Sequence, residues 1–86
     1  MTLQIVLDEV RAEREYQDRK WGTAFDDKNT VNDWGAYAGI YIANATTMKA
    51  TPAEQRAGIL KAATLLIAAI EACDRNGGFP NRHYDK

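Results

Sequence analysis

Cysteine and histidine are nearly absent, and their scarcity removes several chemistries at once. Cys73 and His83 are single copies in 86 residues. No intramolecular disulfide can form, and no Cys/His zinc site can be assembled. Cys73 also falls on an apolar helical face, where a small core hydrophobe is the expected role rather than a nucleophile. No charge sign dominates: eleven Lys and Arg stand against twelve Asp and Glu, a formal net charge of −1. A general nucleic-acid binder would carry a basic excess or stripe, so no nucleic-acid partner is expected. No uncharged run in an apolar stretch is as long as the roughly 20 residues of a membrane span. Met1-Thr2-Leu3-Gln4 has neither the basic start nor the apolar core of a signal peptide. The expectation is a cytoplasmic protein without a membrane partner. Six glycines and two prolines are few, and none builds a phosphate-cradling loop; Gly77-Gly78 reads as a helix end.

What is present fits one folded domain, residues 1–86, with 76–86 as a C-terminal tail. Hydrophobic residues make up 45% and charged ones 27%, ordinary values for a globular chain. The glycines and prolines divide it into three helical stretches. The first, 3–20, opens on Leu3, Val6, Leu7 and Val10 at helical spacing and then turns charged, with i,i+4 pairs such as Glu15 and Arg19. Trp21-Gly22 reads as its left-handed cap, and 22–29 as an ordered loop. Thr30 and Asp33 form a capping-box variant that opens the second helix, 30–49. Trp34, Tyr37, Ala38, Tyr41, Ile42 and Ala45 mark one face of it. Thr51-Pro52-Ala53-Glu54 supplies an N-cap, a proline at the first helical position and the reciprocal acid for the third, 52–75. Ile59, Leu60, Ala63, Leu66, Ile67, Ile70 and Cys73 line its main face.

The fold class is therefore an all-α bundle of about three helices. Residues 62–70 carry no charge on any side, and a helix apolar all round is buried all round. Three helices cannot cover one another that thoroughly, so homo-oligomerisation is expected to complete the bundle.

Two constellations carry chemistry. Arg14, Gln17, Lys20 and Trp21 fall in one short stretch, Tyr37 and Tyr41 lie on one stripe, and Arg82, His83 and Tyr84 sit in the tail. Flat rings beside guanidinium and ammonium groups suit a ligand with a base and a phosphate: the ring stacks, the cation takes the oxygens. This set is the candidate site for a nucleotide-like small molecule. The second constellation is acidic. Glu15 with Asp18, and Glu71 with Asp74, are i,i+3 pairs near the ends of their helices. If those helices run parallel, the four carboxylates could converge on Mg²⁺.

Glu13-Arg14-Glu15-Tyr16-Gln17-Asp18-Arg19-Lys20-Trp21-Gly22, then Asp26-Asp27 and Asn32-Asp33-Trp34, resemble small phage proteins of the MazG-like all-α group. The closing stretch from Ile70 through Gly77-Gly78-Phe79-Pro80 is similar to the end of such sequences. The resemblance implies a helical, oligomeric fold and Mg²⁺-dependent pyrophosphohydrolysis of nucleoside triphosphates. In the enzymes, an E-x-x-E and an E-x-x-D motif hold the metal. Here Tyr41 and Asn44 fall at the first pair of positions and Ala57 and Leu60 at the second, and none of these four is a carboxylate. The leading expectation is non-catalytic binding of a nucleotide-like ligand with no cofactor. By analogy of size and helical content, that suits a phage sponge sequestering a bacterial immune signalling nucleotide in the host cytoplasm. The alternatives are a Mg²⁺-dependent pyrophosphohydrolase using Glu15, Asp18, Glu71 and Asp74, and a helical adaptor that inhibits a host protein.

Overall fold

Capping chemistry sets where the helices begin. In a computed structural model that describes residues 2–82, three helices form: α1 (Thr2–Lys28), α2 (Val31–Ala45) and α3 (Pro52–Asn76). No strand occurs among the described residues. The Thr30 hydroxyl accepts from the Asp33 N–H at 3.2 Å, and the Thr30 N–H donates to the Asp33 carboxylate at 2.9 Å. Thr51 and Glu54 repeat the device at the start of α3, with Pro52 behind them. Each box satisfies donors that the first turn otherwise leaves unpaired. Gly77, at φ 71° and ψ 22°, closes α3 in the left-handed region, and the Gly78 N–H donates to the Cys73 carbonyl at 2.8 Å.

The expected end of the first helix at Trp21-Gly22 is corrected. Gly22 has φ 77° and ψ 169°, which is not the left-handed cap but a kink. Helical backbone resumes at once and runs to Lys28, so the expected loop over 22–29 is largely a continuation of α1. The reason lies in Phe25, one turn beyond Trp21: its ring centroid lies 5.9 Å from that of Trp21 and 6.1 Å from that of Tyr37. Packing both rings toward α2 requires the chain to stay helical after the kink. The second helix is also shorter than expected, because Thr46 caps it: its hydroxyl and N–H both donate to the Ile42 carbonyl.

α3 is the middle helix: α1 and α2 each pack along it, and Phe25 of α1 reaches Tyr37 of α2. The cross-helix pairs Glu9–Arg56, Gln17–Thr64 and Asp27–Arg75 ascend together, so α1 and α3 run parallel. The short turn over 46–51 makes α2 antiparallel to α3. This hairpin is tight: a Cβ built on Gly58 would sit 2.7 Å from the Ala45 Cβ and 3.1 Å from the Tyr41 carbonyl oxygen. Only a residue without a Cβ lets the two backbones approach this far.

The core is small and alanine-rich. Trp34 is 2% exposed and packs with Leu65, Ala68, Ala69 and Ala72, flanked by Trp21, Tyr41 and Phe79. The core face of α3 is thus Ala62, Leu65, Ala68, Ala69 and Ala72, not the expected Ile59, Ala63, Leu66, Ile67 and Ile70. Those point outward. Ile59 is 51% exposed, Leu66 44% and Ile70 59%, so the uncharged run 62–70 is buried on one side only within a single chain. Apart from Leu65, the core-facing residues of α3 are alanines, in keeping with the close helix approach at Gly58.

Candidate functional site

Because α1 and α2 flank α3 without closing on each other, a groove remains between them. Trp21 and Phe25 come from α1, Tyr37, Ile40 and Tyr41 from α2, and Leu65 forms the floor; the space measures about 290 Å³. Four of the six lining residues are aromatic. Two cations border it. The Lys20 ammonium lies 5.1 Å from the centre of the Trp21 ring, and Lys61 lies 5.7 Å from that of Tyr41. Lys20, Lys61 and Tyr37 are exposed, while Trp21, Phe25 and Tyr41 are half-buried. The groove is thus apolar at its floor, aromatic on its walls and positive at its rim.

Of the expected ligand-binding residues, the structure brings Trp21, Tyr37, Tyr41 and Lys20 together here. The others go elsewhere. Gln17 is buried and donates to the Thr64 hydroxyl at 2.9 Å and to Glu13 at 3.3 Å, so it joins α1 to α3. Arg14 donates through Nε to Glu71 at 2.7 Å. Arg82 is exposed on the tail, and His83 and Tyr84 lie outside the described residues. Phe79 packs on the Trp34 cluster, which ties the start of the tail to the core. Phe25 and Lys61 were not among the expected residues. Phe25 had a sequence signal, since it stands at i+4 from Trp21, but reading a loop at Gly22 hid it.

A separate cleft of about 350 Å³ is lined by Arg11, Arg14, Glu15, Asp18, Thr23, Glu71 and Arg75. The parallel run of α1 and α3 does bring Glu15, Asp18 and Glu71 to this one cleft; Asp74 is not part of its wall. The three carboxylates share it with three guanidinium groups, and the Arg14–Glu71 ion pair occupies one of them. Among the described residues, no group of three or more His, Cys, Asp or Glu side chains converges closely enough to hold a metal ion. The donor set therefore does not fit Mg²⁺, which needs carboxylates or substrate phosphates around it in near-octahedral order. At the far end of α1, Asp26 is only 6% exposed. Burial pushes its carboxyl above the ordinary range, against the pull of nearby Arg14. Asp27 shows the reverse: hydrogen bonds from Arg75 and Asn76 hold its carboxyl below the usual range.

Comparisons with protein-family models, with curated proteins and with solved structures found no match to this chain. What defines it is an all-α three-helix arrangement with one aromatic groove and one mixed-charge cleft. No helix among the described residues is long and apolar enough to cross a membrane.

Proposed function

We propose that the chain binds a nucleotide-like ligand in the groove between α1 and α2 and does not hydrolyse it. The observation that carries this is the convergence of Trp21, Phe25, Tyr37 and Tyr41 on one groove with Lys20 and Lys61 at its rim. A space of 290 Å³ lies at the lower edge of the roughly 300–1,000 Å³ typical of ligand pockets. It suits a planar base between the rings, with phosphates left at the rim where the ammonium groups stand. Stacking contributes about 1–3 kcal/mol per base, and each charge-assisted phosphate contact about 1.5–3 kcal/mol. Sequestration of a signalling nucleotide, as a phage sponge would perform it, is the role that fits binding without turnover, since such a protein gains by holding its ligand intact.

Equilibrium dialysis against a panel of linear and cyclic nucleotides tests this. The expected result is retention of at least one nucleotide, recovered unchanged after denaturation, with quenching of Trp21 fluorescence on binding. Lys61→Ala and Tyr37→Ala should each weaken retention about tenfold, by the magnitudes above. Product formation would support the pyrophosphohydrolase instead. Failure to retain any nucleotide would leave the helical adaptor as the better account.

A further inference from the structure

The outward face of α3 repeats Ile59, Ala63, Leu66, Ile70 and Cys73 at alternating steps of four and three residues. That is the spacing of a coiled-coil seam, in which apolar residues recur every 3.5 positions. No described residue covers it: Ile59, Leu66 and Ile70 are 51%, 44% and 59% exposed. Beside its first half lies an apolar groove of about 480 Å³ whose walls include Val6, Val10 and Leu60. A seam of this kind is an interface for another helix, and the chain carries a matching helix in every copy of itself.

We infer that α3 pairs antiparallel with α3 of a second copy, with Ile59 against that copy's Ile70 and Ala63 against its Leu66. Three features of the chain select this register. The first is size. Ala63 is the one small residue between the large ones, and antiparallel pairing sets it against a leucine. Parallel pairing would stack alanine on alanine and leave a void, and voids in packed layers are destabilising. The second is charge. The C-terminal end of α3 carries Glu71, Asp74 and Arg75, two acids to one base, and its N-terminal part carries Glu54, Arg56 and Lys61, two bases to one acid. Asp74 has no ion-pair partner among the described residues. Antiparallel pairing sets it beside Arg56 of the second copy, whose guanidinium already holds Glu9 of its own chain and would then bridge two carboxylates, whereas parallel pairing sets acid beside acid. The third is the helix dipole, which opposes in antiparallel helices and reinforces in parallel ones. The two-fold relation is closed and self-complementary, so it yields a finite assembly rather than a filament. The ligand groove lies on the other flank of α3, and the inference stands independently of the function proposed for that groove.

The same register supplies its own reporter. It places position 56 opposite Cys73 of the second copy, while the two Cys73 residues lie about 26 Å apart along the helix axis at roughly 1.5 Å per residue. A disulfide needs Cα atoms within about 7 Å. Mild oxidation should therefore leave the wild-type chain uncrosslinked and convert Arg56→Cys, with Cys73 retained, to a covalent dimer on a non-reducing gel. An intrachain bond between those two positions is impossible on one straight helix. By light scattering at micromolar concentration, the wild type should have at least twice the chain mass. Leu66→Asp should fall to the mass of one chain with its helical circular dichroism kept. A monomeric wild type overturns the inference, and so does crosslinking through Cys73 alone. An Arg56→Cys chain that stays uncrosslinked does the same, and that measurement stands even if Leu66→Asp fails to fold.

Discussion

Replacing Gly58 by alanine sets two magnitudes against each other. In an exposed helix interior, Gly→Ala stabilises by about 1 kcal/mol, because alanine loses less backbone entropy. At position 58 the new methyl group would lie 2.7 Å from the Ala45 Cβ, closer than two carbons can stand, and 3.1 Å from the Tyr41 carbonyl oxygen. Neither neighbour is the end of a flexible side chain, so α2 must move off α3. Overpacking of this kind costs about 1–3 kcal/mol. The net expectation is a loss of up to about 2 kcal/mol. For a domain of this size, each 1 kcal/mol moves Tm by about 4–8 °C. Gly35 and Gly39 provide the controls. Both are exposed on α2, and a Cβ on either meets nothing within 4 Å, so Gly35→Ala and Gly39→Ala should each raise Tm by roughly the propensity gain. Thermal melts of the three variants and the wild type at one protein concentration decide the matter, since any association makes Tm concentration-dependent. If Gly58→Ala melts as high as the two controls, the close approach of α2 and α3 is not real, and the alanine-rich packing derived from it fails as well.

Thr64→Val removes one of the two acceptors of the buried Gln17 amide, whose own carbonyl oxygen has no partner among the described residues; an orphaned buried donor costs about 1–3 kcal/mol. Adding Gln17→Leu should recover much of that loss in urea denaturation, and a double variant weaker than Thr64→Val alone would refute the pairing. Burial raises the Asp26 carboxyl pKa, so between its ordinary value and the raised one the folded form binds more proton than the unfolded form. Its contribution therefore declines as pH rises from the ordinary carboxylate value through the raised one, and Asp26→Asn should be the more stable protein at pH 7. Urea midpoints measured from pH 4 to 8 that show Asp26→Asn weaker throughout would refute this. Mg²⁺ should not raise Tm, and nucleotide retention should survive EDTA, because the carboxylates of the α1–α3 cleft are shared with arginines. Stabilisation by millimolar Mg²⁺ that disappears in Glu71→Gln would restore the hydrolytic alternative.

Local chemistry made much of this protein legible from its sequence. The Thr30–Asp33 and Thr51–Glu54 boxes, the proline at position 52 and the glycine at 77 act within one helical turn, so the starts of α2 and α3 and the end of α3 could be read directly. The all-α class follows from the same signals together with apolar spacing. Trp21, Tyr37 and Tyr41 were legible as flat rings suited to stacking. That they share a groove was not, because it depends on how α1 and α2 flank α3, with Phe25 reaching Tyr37 across the gap. Gly22 shows the limit of local signals: the same residue serves a helix cap or a kink, and the choice fell to Phe25 packing beside Tyr37. Periodicity marked the face with Ile59, Leu66 and Ile70 as the main apolar face of α3, but the structure turns the alanine-rich face inward instead. Tertiary structure decided it at Gly58, where two backbones meet closely, in keeping with an alanine-rich inner face, leaving Ile59, Leu66 and Ile70 outside. Arg14 and Gln17 were likewise read with Trp21 because they are near it in the chain. A helix turns neighbours in sequence toward different sides, so they face α3 while Trp21 faces the groove.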